Sequence, residues 1–261
     1  MNIFVNVNYS KEKAIEIKNR IINFSTINDL KIVEDIDKAN LIISIGGDGT
    51  FIESARLIEN TNIPLIGVNL GSLGYLTEIN PDGLENALTQ ILNGNYYLES
   101  RMMLQGKVLR NGETICENKA INDITLTKNA LGILRFDLYI DDVLINKYTA
   151  DGIIICTPTG STAYNLSCGG PIIEPNASII TITPLAPHTM INRSLVLSDN
   201  NVIKIKITEI RESQYGYIIF DGINNKIKLN DEIIIKKANT YTSILRLNKR
   251  GFLDIIRDKM I

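Results

Sequence analysis

The chain has 261 residues, 44% of them apolar and 21% charged, with net charge −2 and a pI near 5.6. A chain of this size buries about three quarters of its unfolded surface without disulfide or metal staples, and its charge balance carries no footprint for nucleic acid or an acidic membrane. Three cysteines without CxxC spacing (Cys116, Cys156, Cys168), an N-terminus unlike a signal peptide and no apolar run of roughly 18 residues exclude a disulfide framework, a zinc site and a membrane span, and predict a cytoplasmic setting.

In chain order, Asn2 to Val7 predicts a strand, and Lys11 to Phe24 an amphipathic helix with Ala14, Ile15, Ile17, Ile21 and Ile22 apolar. Leu41 to Ile45 predicts a fully apolar strand, Phe51 to Ile58 a helix, Pro64 to Asn69 a strand and Leu84 to Leu92 a helix. Strands alternating with helices argue for a parallel sheet covered on its faces. From about Gln105 the pattern turns β-rich. Gln105 to Leu109 and Thr114 to Glu117 flank Asn111-Gly112, a strong hairpin signal, and Phe136 to Ile140 and Val143 to Asn146 flank the weaker Asp141-Asp142. Further runs at Ile153 to Cys156, Ile179 to Thr183, Val202 to Ile207, Tyr217 to Phe220, Lys226 to Leu229 and Glu232 to Lys236 predict a sandwich or open barrel. Gly251 to Met260 predicts a terminal helix.

Two segments carry chemistry. Gly46-Gly47-Asp48-Gly49-Thr50 follows a strand and precedes a helix, the layout that cradles phosphates. It is neither the GxxxxGK type, which needs a lysine, nor GxGxxG. Asp48 is the oddity, because two unit charges about 4 Å apart repel by about 4 kcal/mol at an effective dielectric near ~20. Its task is to take a proton from an attacking hydroxyl or to hold Mg²⁺; the plain alternative is an aspartate bonding its own turn. A second glycine loop, Gly67-Val68-Asn69-Leu70-Gly71-Ser72-Leu73-Gly74-Tyr75-Leu76, is expected on the same sheet edge. The other segment runs from Ala150-Asp151-Gly152 to Thr157-Pro158-Thr159-Gly160-Ser161-Thr162-Ala163-Tyr164-Asn165. Uncharged hydroxyls, a small flat residue at Ala163 and the face of Tyr164 suit an adenine ring and a ribose. A helix start capped by Ser161 or Thr162 is the alternative. Between them, Asn122-Asp123 interrupts an apolar stretch, which by itself reads as a bulge or turn.

In this order and spacing the three segments resemble the NAD kinase family. Gly46 to Thr50 is similar to its GGDGT motif, Asn122-Asp123 to its NE/D motif, and Thr157 to Tyr164 to its TPTGSTAY-type signature. GGDGT alone is shared with phosphofructokinases and diacylglycerol or sphingosine kinases; the full set, spanning Leu41 to about Asn224, is specific. The resemblance implies an α/β plus all-β fold. An N-terminal α/β domain with a parallel sheet would occupy 1–100, joined by a final helix returning at about 246–261, and a C-terminal β-sandwich at 101–245 would bind NAD and carry oligomer contacts. The implied activity is transfer of the γ-phosphoryl group of ATP to the 2′-hydroxyl of NAD's adenosine ribose, giving NADP, with Mg²⁺ or another divalent ion and a homotetrameric assembly.

The resemblance also implies site roles. Asp48 would be the base, with Gly49 beside it and Gly46, Gly47, Gly49 and Thr50 forming the phosphate loop. Asn122, Thr159, Thr162, Ala163, Tyr164 and Ser167 would bind the adenosine part of NAD, and Asp123 would lie by the ribose and phosphates. Asp151, Tyr75 and Ala186 would stand on the nicotinamide side, as would Asp221, which occupies the region where some bacterial members carry a histidine. The only histidine, His188, is not expected to act in catalysis. The loop Thr183-Pro184-Leu185-Ala186-Pro187-His188-Thr189-Met190-Ile191 is expected to point outward, towards a neighbouring subunit's ligand. Two rivals remain distinguishable. A lipid kinase of the diacylglycerol type would want an apolar acyl cleft in place of the hydroxyl loop, and a non-catalytic NADP(H) sensor would not need Asp48.

Overall fold

Leu41–Gly46 and Leu65–Asn69 are buried along their whole length, as parallel strands covered on both faces must be. The computed structural model describes residues 1–58, 63–71, 74–129, 132–188, 192–210, 215–248 and 251–260, without the side chains of 259–260. Ser72, Leu73, Thr189, Met190 and Ile191 of the two loops above therefore lie outside the described residues. Two units form, one from Met1–Arg101 with Thr240–Ile261 and the other from Met102–Asn239.

In the first unit the strands pair in parallel in the order Lys31–Val33, Asn2–Val7, Leu41–Gly46, Leu65–Asn69. The end of the long strand Glu232–Arg246 joins them, with Ile244 opposite Leu65. Helix Leu84–Leu92 buries Leu84, Ala87, Leu88 and Ile91, one stripe at helical spacing, against Ile43, Ile66 and Val68 in a shared core. The first helix runs Ala14–Ile27 and not from Lys11, because Lys13 takes a left-handed φ of 66° at its cap. The second runs Asp48–Leu57, three residues earlier than its apolar pattern suggests, which puts Asp48 in its first turn. The helix Phe252–Met260 also belongs to this unit. Among the described residues no helix is long and apolar enough to cross a membrane.

The second unit is a sandwich of antiparallel strands. One sheet centres on Gly152–Cys156, flanked by Ile179–Leu185 and Asp123–Lys128, with Leu195–Ser198, Gly216–Phe220 and Ile223–Ile227 outside them. In the other, Ile203–Ile210 pairs with Glu232–Arg246 and Leu134–Ile140, and Val143–Ala150 lies beyond; Tyr97–Arg110 and Glu113–Ala120 form its hairpin. Ile124, Leu126, Ile153, Ile155 and Ile182 of the first sheet share one core with Phe136, Leu138, Ile203, Ile205 and Ile233 of the second.

Asn111-Gly112 (φ 52° and 84°) and Asp141-Asp142 (48° and 63°) make the expected two-residue turns. Asp221-Gly222 (44° and 89°) makes another, so the strand placed at Lys226 to Leu229 is instead Ile223–Ile227, and Leu229 is exposed. A second correction concerns the outward loop. Thr183, Pro184 and Leu185 are the buried end of Ile179–Leu185, and the chain becomes exposed only at Ala186.

Candidate active site

Gly47 caps the helix Asp48–Leu57, so the Asp48 carboxylate sits where the helix dipole is positive. Its oxygens accept backbone N–H groups from the second glycine loop: Tyr75 N donates to Oδ2 (2.7 Å), and Leu76 N and Thr77 N donate to Oδ1 (3.1 and 3.2 Å). Thr77 Oγ1 adds a longer contact to Oδ1 at 3.4 Å. The electrostatic puzzle of an anion in an anion cradle is thereby resolved, because Asp48 is itself the anion that the loop cradles. Among the described residues Oδ2 has one donor and Oδ1 three, so Oδ2 keeps a lone pair with which to take a proton. Thr50, counted with the phosphate loop, is buried and packs under Gly46, with its hydroxyl accepting from Asn8 Nδ2 at 3.4 Å. Gly47 and Gly49 are the open positions, with no atom within 4 Å of where a Cβ would stand.

In the second unit, Asn122 sits in a bend just before the strand Asp123–Lys128, and this corner is held by a clamp. Asp221's carboxylate accepts N–H groups from Ile121 (2.6 Å), Asn122 (3.1 Å) and Asp123 (3.0 Å). Asp221, expected on the nicotinamide side, thus holds the 121–123 segment in place. Burial pushes its carboxyl up to about 6, against the pull of the three N–H bonds. Asp123 is buried too, and burial raises its pKa; its Oδ1 accepts from Thr125 Oγ1 at 2.8 Å.

The hydroxyl loop divides into an inner and an outer set. Thr157 donates to Ile121 O (2.6 Å) and accepts from Gly160 N (3.0 Å). Ser161 donates to Pro158 O (2.7 Å) and accepts from Ile173 N (3.0 Å). Both are fully buried, so they build the loop and are closed to a ligand. Neither Ser161 nor Thr162 caps the short helix Tyr164–Ser167, which has no side-chain cap. Thr159 is buried as well. Gly160 lies so close to Asn122 that a Cβ would stand 2.1 Å from its carbonyl oxygen, which brings the two motifs into contact. Thr162 and Ala163 are half-buried, and Tyr164 and Ser167 are exposed.

A pocket of about 410 Å³ is lined by Thr127, Lys128, Asp151, Tyr164, Cys168, Pro184, Leu185 and Ala186, a size suited to part of a nucleotide. It gathers three expected residues, Asp151, Tyr164 and Ala186. It also holds three that no motif announced: Thr127, Cys168 and Lys128, the last paired with Asp151 Oδ1 at 2.6 Å. Tyr75 belongs to the first unit, where its N–H serves Asp48.

Among the described residues no three His, Cys, Asp or Glu side chains converge on one point, and the Asp48 oxygens are met by backbone N–H groups.

The comparisons with known proteins agree across the chain. The ATP-NAD kinase N-terminal domain matches residues 5–96 and the ATP-NAD kinase C-terminal domain residues 121–247. The NAD kinase of Caldanaerobacter subterraneus subsp. tengcongensis is 38% identical, covering 97% of this chain and 96% of its own. That of a Thermoanaerobacter species is 42% identical over 88% and 81%. Among solved structures, yeast NADH kinase complexed with NADH superimposes with a TM-score of 0.86 at 22% identity, covering 100% of this chain and 87% of that one. An NAD kinase from Archaeoglobus fulgidus in complex with ATP gives 0.82, also at 22%, over the whole of both chains. At that identity the two structures speak for the fold.

Proposed function

The chain belongs to the NAD kinase family and transfers the γ-phosphoryl group of ATP to the 2′-hydroxyl of NAD's adenosine ribose, and we propose that Asp48 is the base for that transfer. Oδ2 takes the hydroxyl proton as the ribose oxygen bonds to the γ-phosphorus and the bond to the β-phosphate oxygen breaks, releasing ADP. The observation that carries this reading is the asymmetric hold on Asp48. Oδ1 is fixed by three donors, while Oδ2 has only the Tyr75 N–H among the described residues.

The open glycines Gly47 and Gly49 leave room for the triphosphate to approach the helix start. Mg²⁺ then arrives on the triphosphate, as part of the substrate, with phosphate oxygens and water as its ligands. Asn122, Thr162, Ala163, Tyr164 and Ser167 bind the adenosine, with Asp151 and Ala186 lining the pocket beside Tyr164. Turnover of NAD with Mg-ATP, followed through an NADP-specific dehydrogenase, tests the reading. A folded enzyme that makes no NADP would overturn it, and one that makes NADP with Asp48→Asn at full rate would remove the base.

The working form is assigned as a cytoplasmic homotetramer, with Ala186 and His188 near a second subunit's ligand. Support comes from the exposure of both residues and from Val143, Leu144 and Ile145, consecutive exposed apolar side chains on the outermost strand Val143–Ala150. Light scattering giving the mass of one chain would refute the tetramer.

A further inference from the structure

Arg246 ends the strand Glu232–Arg246 inside the first unit, with only 6% of its side chain exposed. Its Nε donates to Glu99 Oε2 at 2.9 Å and its Nη1 to Glu78 Oε2 at 3.0 Å. Arg101 pairs with the other oxygen of Glu99 at 2.7 Å. Glu78 Oε1 accepts from Leu247 N and Asn248 N at 3.3 and 3.1 Å. Well-packed apolar residues often stabilise a fold as well as such a buried network does, so stability is a weak reason for its presence.

One further bond supplies a stronger reason. Arg246 Nη1 also donates to the carbonyl oxygen of Leu76 at 3.2 Å. That carbonyl and the N–H of Thr77 belong to the same peptide unit, which is planar, with the two groups on opposite edges. The Thr77 N–H donates to Asp48 Oδ1 at 3.2 Å, and the Leu76 N–H on the preceding peptide does so at 3.1 Å. A guanidinium on one edge of the plate thus fixes the direction of the donor on the other, and bonds in such a chain polarise one another.

We infer that Arg246 is a positioning residue for phosphoryl transfer: from the carbonyl side of the Leu76–Thr77 peptide it sets the N–H groups that hold Asp48. The inference rests on Asp48 being the base. Arg246 does not reach the substrate; it acts through the peptide and the carboxylate.

The test uses the full-length enzyme with Arg246→Lys, alongside Arg246→Met. Lysine keeps a positive charge between Glu78 and Glu99, so the variant is charge-balanced, but a single nitrogen cannot span both carboxylates and the carbonyl. Expected for Arg246→Lys is a fall in kcat of about ten- to a hundredfold, with KM for NAD within about twofold. Amide exchange at Tyr75, Leu76 and Thr77 should quicken while Ile43 and Val68 in the sheet keep their protection. Arg246→Met should lose more activity or fail to fold, and either result leaves the lysine variant decisive. Unchanged kcat and unchanged exchange at 75–77 in folded Arg246→Lys would overturn the inference. So would faster exchange throughout the unit with kcat and KM altered together, which is what a merely structural arginine predicts. Asp48→Asn, assayed in parallel, separates the two readings: if it remains active the base assignment fails, while the exchange pattern still reports whether Arg246 sets the donors.

Discussion

Gly74 closes against the Asp48 carboxylate so tightly that a Cβ there would stand 2.0 Å from Oδ1 and 2.5 Å from Thr77 Oγ1. Proximity and not dihedral angle demands the glycine, because Gly74 is absent from the glycines with positive φ. Gly74→Ala should push the carboxylate off its donors, lowering kcat at least about tenfold and stability by about 1–3 kcal/mol. Steady-state kinetics and urea unfolding check both; a wild-type kcat would mean that the loop yields without moving Asp48.

Asp48→Asn should lower kcat by about 10²–10⁴, the usual range for a general base. It should also destabilise the protein. The amide keeps one acceptor oxygen and turns an NH₂ towards a backbone N–H, a cost of about 1–3 kcal/mol. Near-normal turnover in the folded variant would remove Asp48 as the base.

Ser161→Ala and Tyr164→Ala should give opposite signatures. Ser161 is fully buried and serves Ile173 N and Pro158 O, so its loss should cost about 1–3 kcal/mol of stability and leave NAD affinity intact. Tyr164 is 49% exposed on the pocket wall. Its loss should weaken NAD binding roughly five- to a hundredfold, as for a stacked base, with stability changed by less than about 0.5 kcal/mol. Calorimetric titration and thermal melts of the two variants decide the matter, and a Tyr164→Ala protein with full affinity would take that ring out of the site.

NAD binding should depend on pH through Asp221. Burial raises its carboxyl to about 6, so below that pH it takes up a proton and holds the N–H groups of 121–123 less well. KM for NAD should therefore rise as pH falls through about 6, and the rise should flatten in Asp221→Asn. The stability effect has the opposite sign. A folded pKa above the ordinary 3.8 favours the protonated native state, so this group's contribution is complete below about 3.8 and is lost as pH rises through about 6. Unfolding free energies should shift in favour of Asp221→Asn over wild type between about pH 4 and pH 6.5. A constant difference across that range would show that Asp221 does not titrate there.

Local signals were the legible ones. Leu84–Leu92 is readable because its four buried residues follow helical spacing, and the Asn111-Gly112 hairpin because its turn needs two positive φ angles. Lys31–Val33 is an edge strand of three residues, too short to carry a period. Asp123–Lys128 was hidden because Thr125 and Thr127 break its apolar run. In the site, the motifs were visible but the directions of their side chains were not. Composition makes Thr157 and Thr162 look alike, whereas the fold buries the first and leaves the second half open. Asp221 and Arg246 act on segments 98 to 100 and 170 residues away, a distance at which one sequence read by pattern carries no signal.

The first unit is interrupted in sequence by the second, since Thr240–Ile261 complete what Met1–Arg101 begin. On the ribosome this imposes an order of events. Leu76 emerges 170 residues before the arginine that grips its carbonyl, a delay of about 10–30 s at typical elongation rates. Until then the sheet also lacks its strand opposite Leu65. A nascent chain ending at Asn239 has every residue of the NAD-side loops but lacks the brace on the Asp48 clamp. Translation therefore withholds the brace on Asp48, the proposed base, until Arg246 has been made, and chains cut short before it should bind nucleotide better than they turn it over.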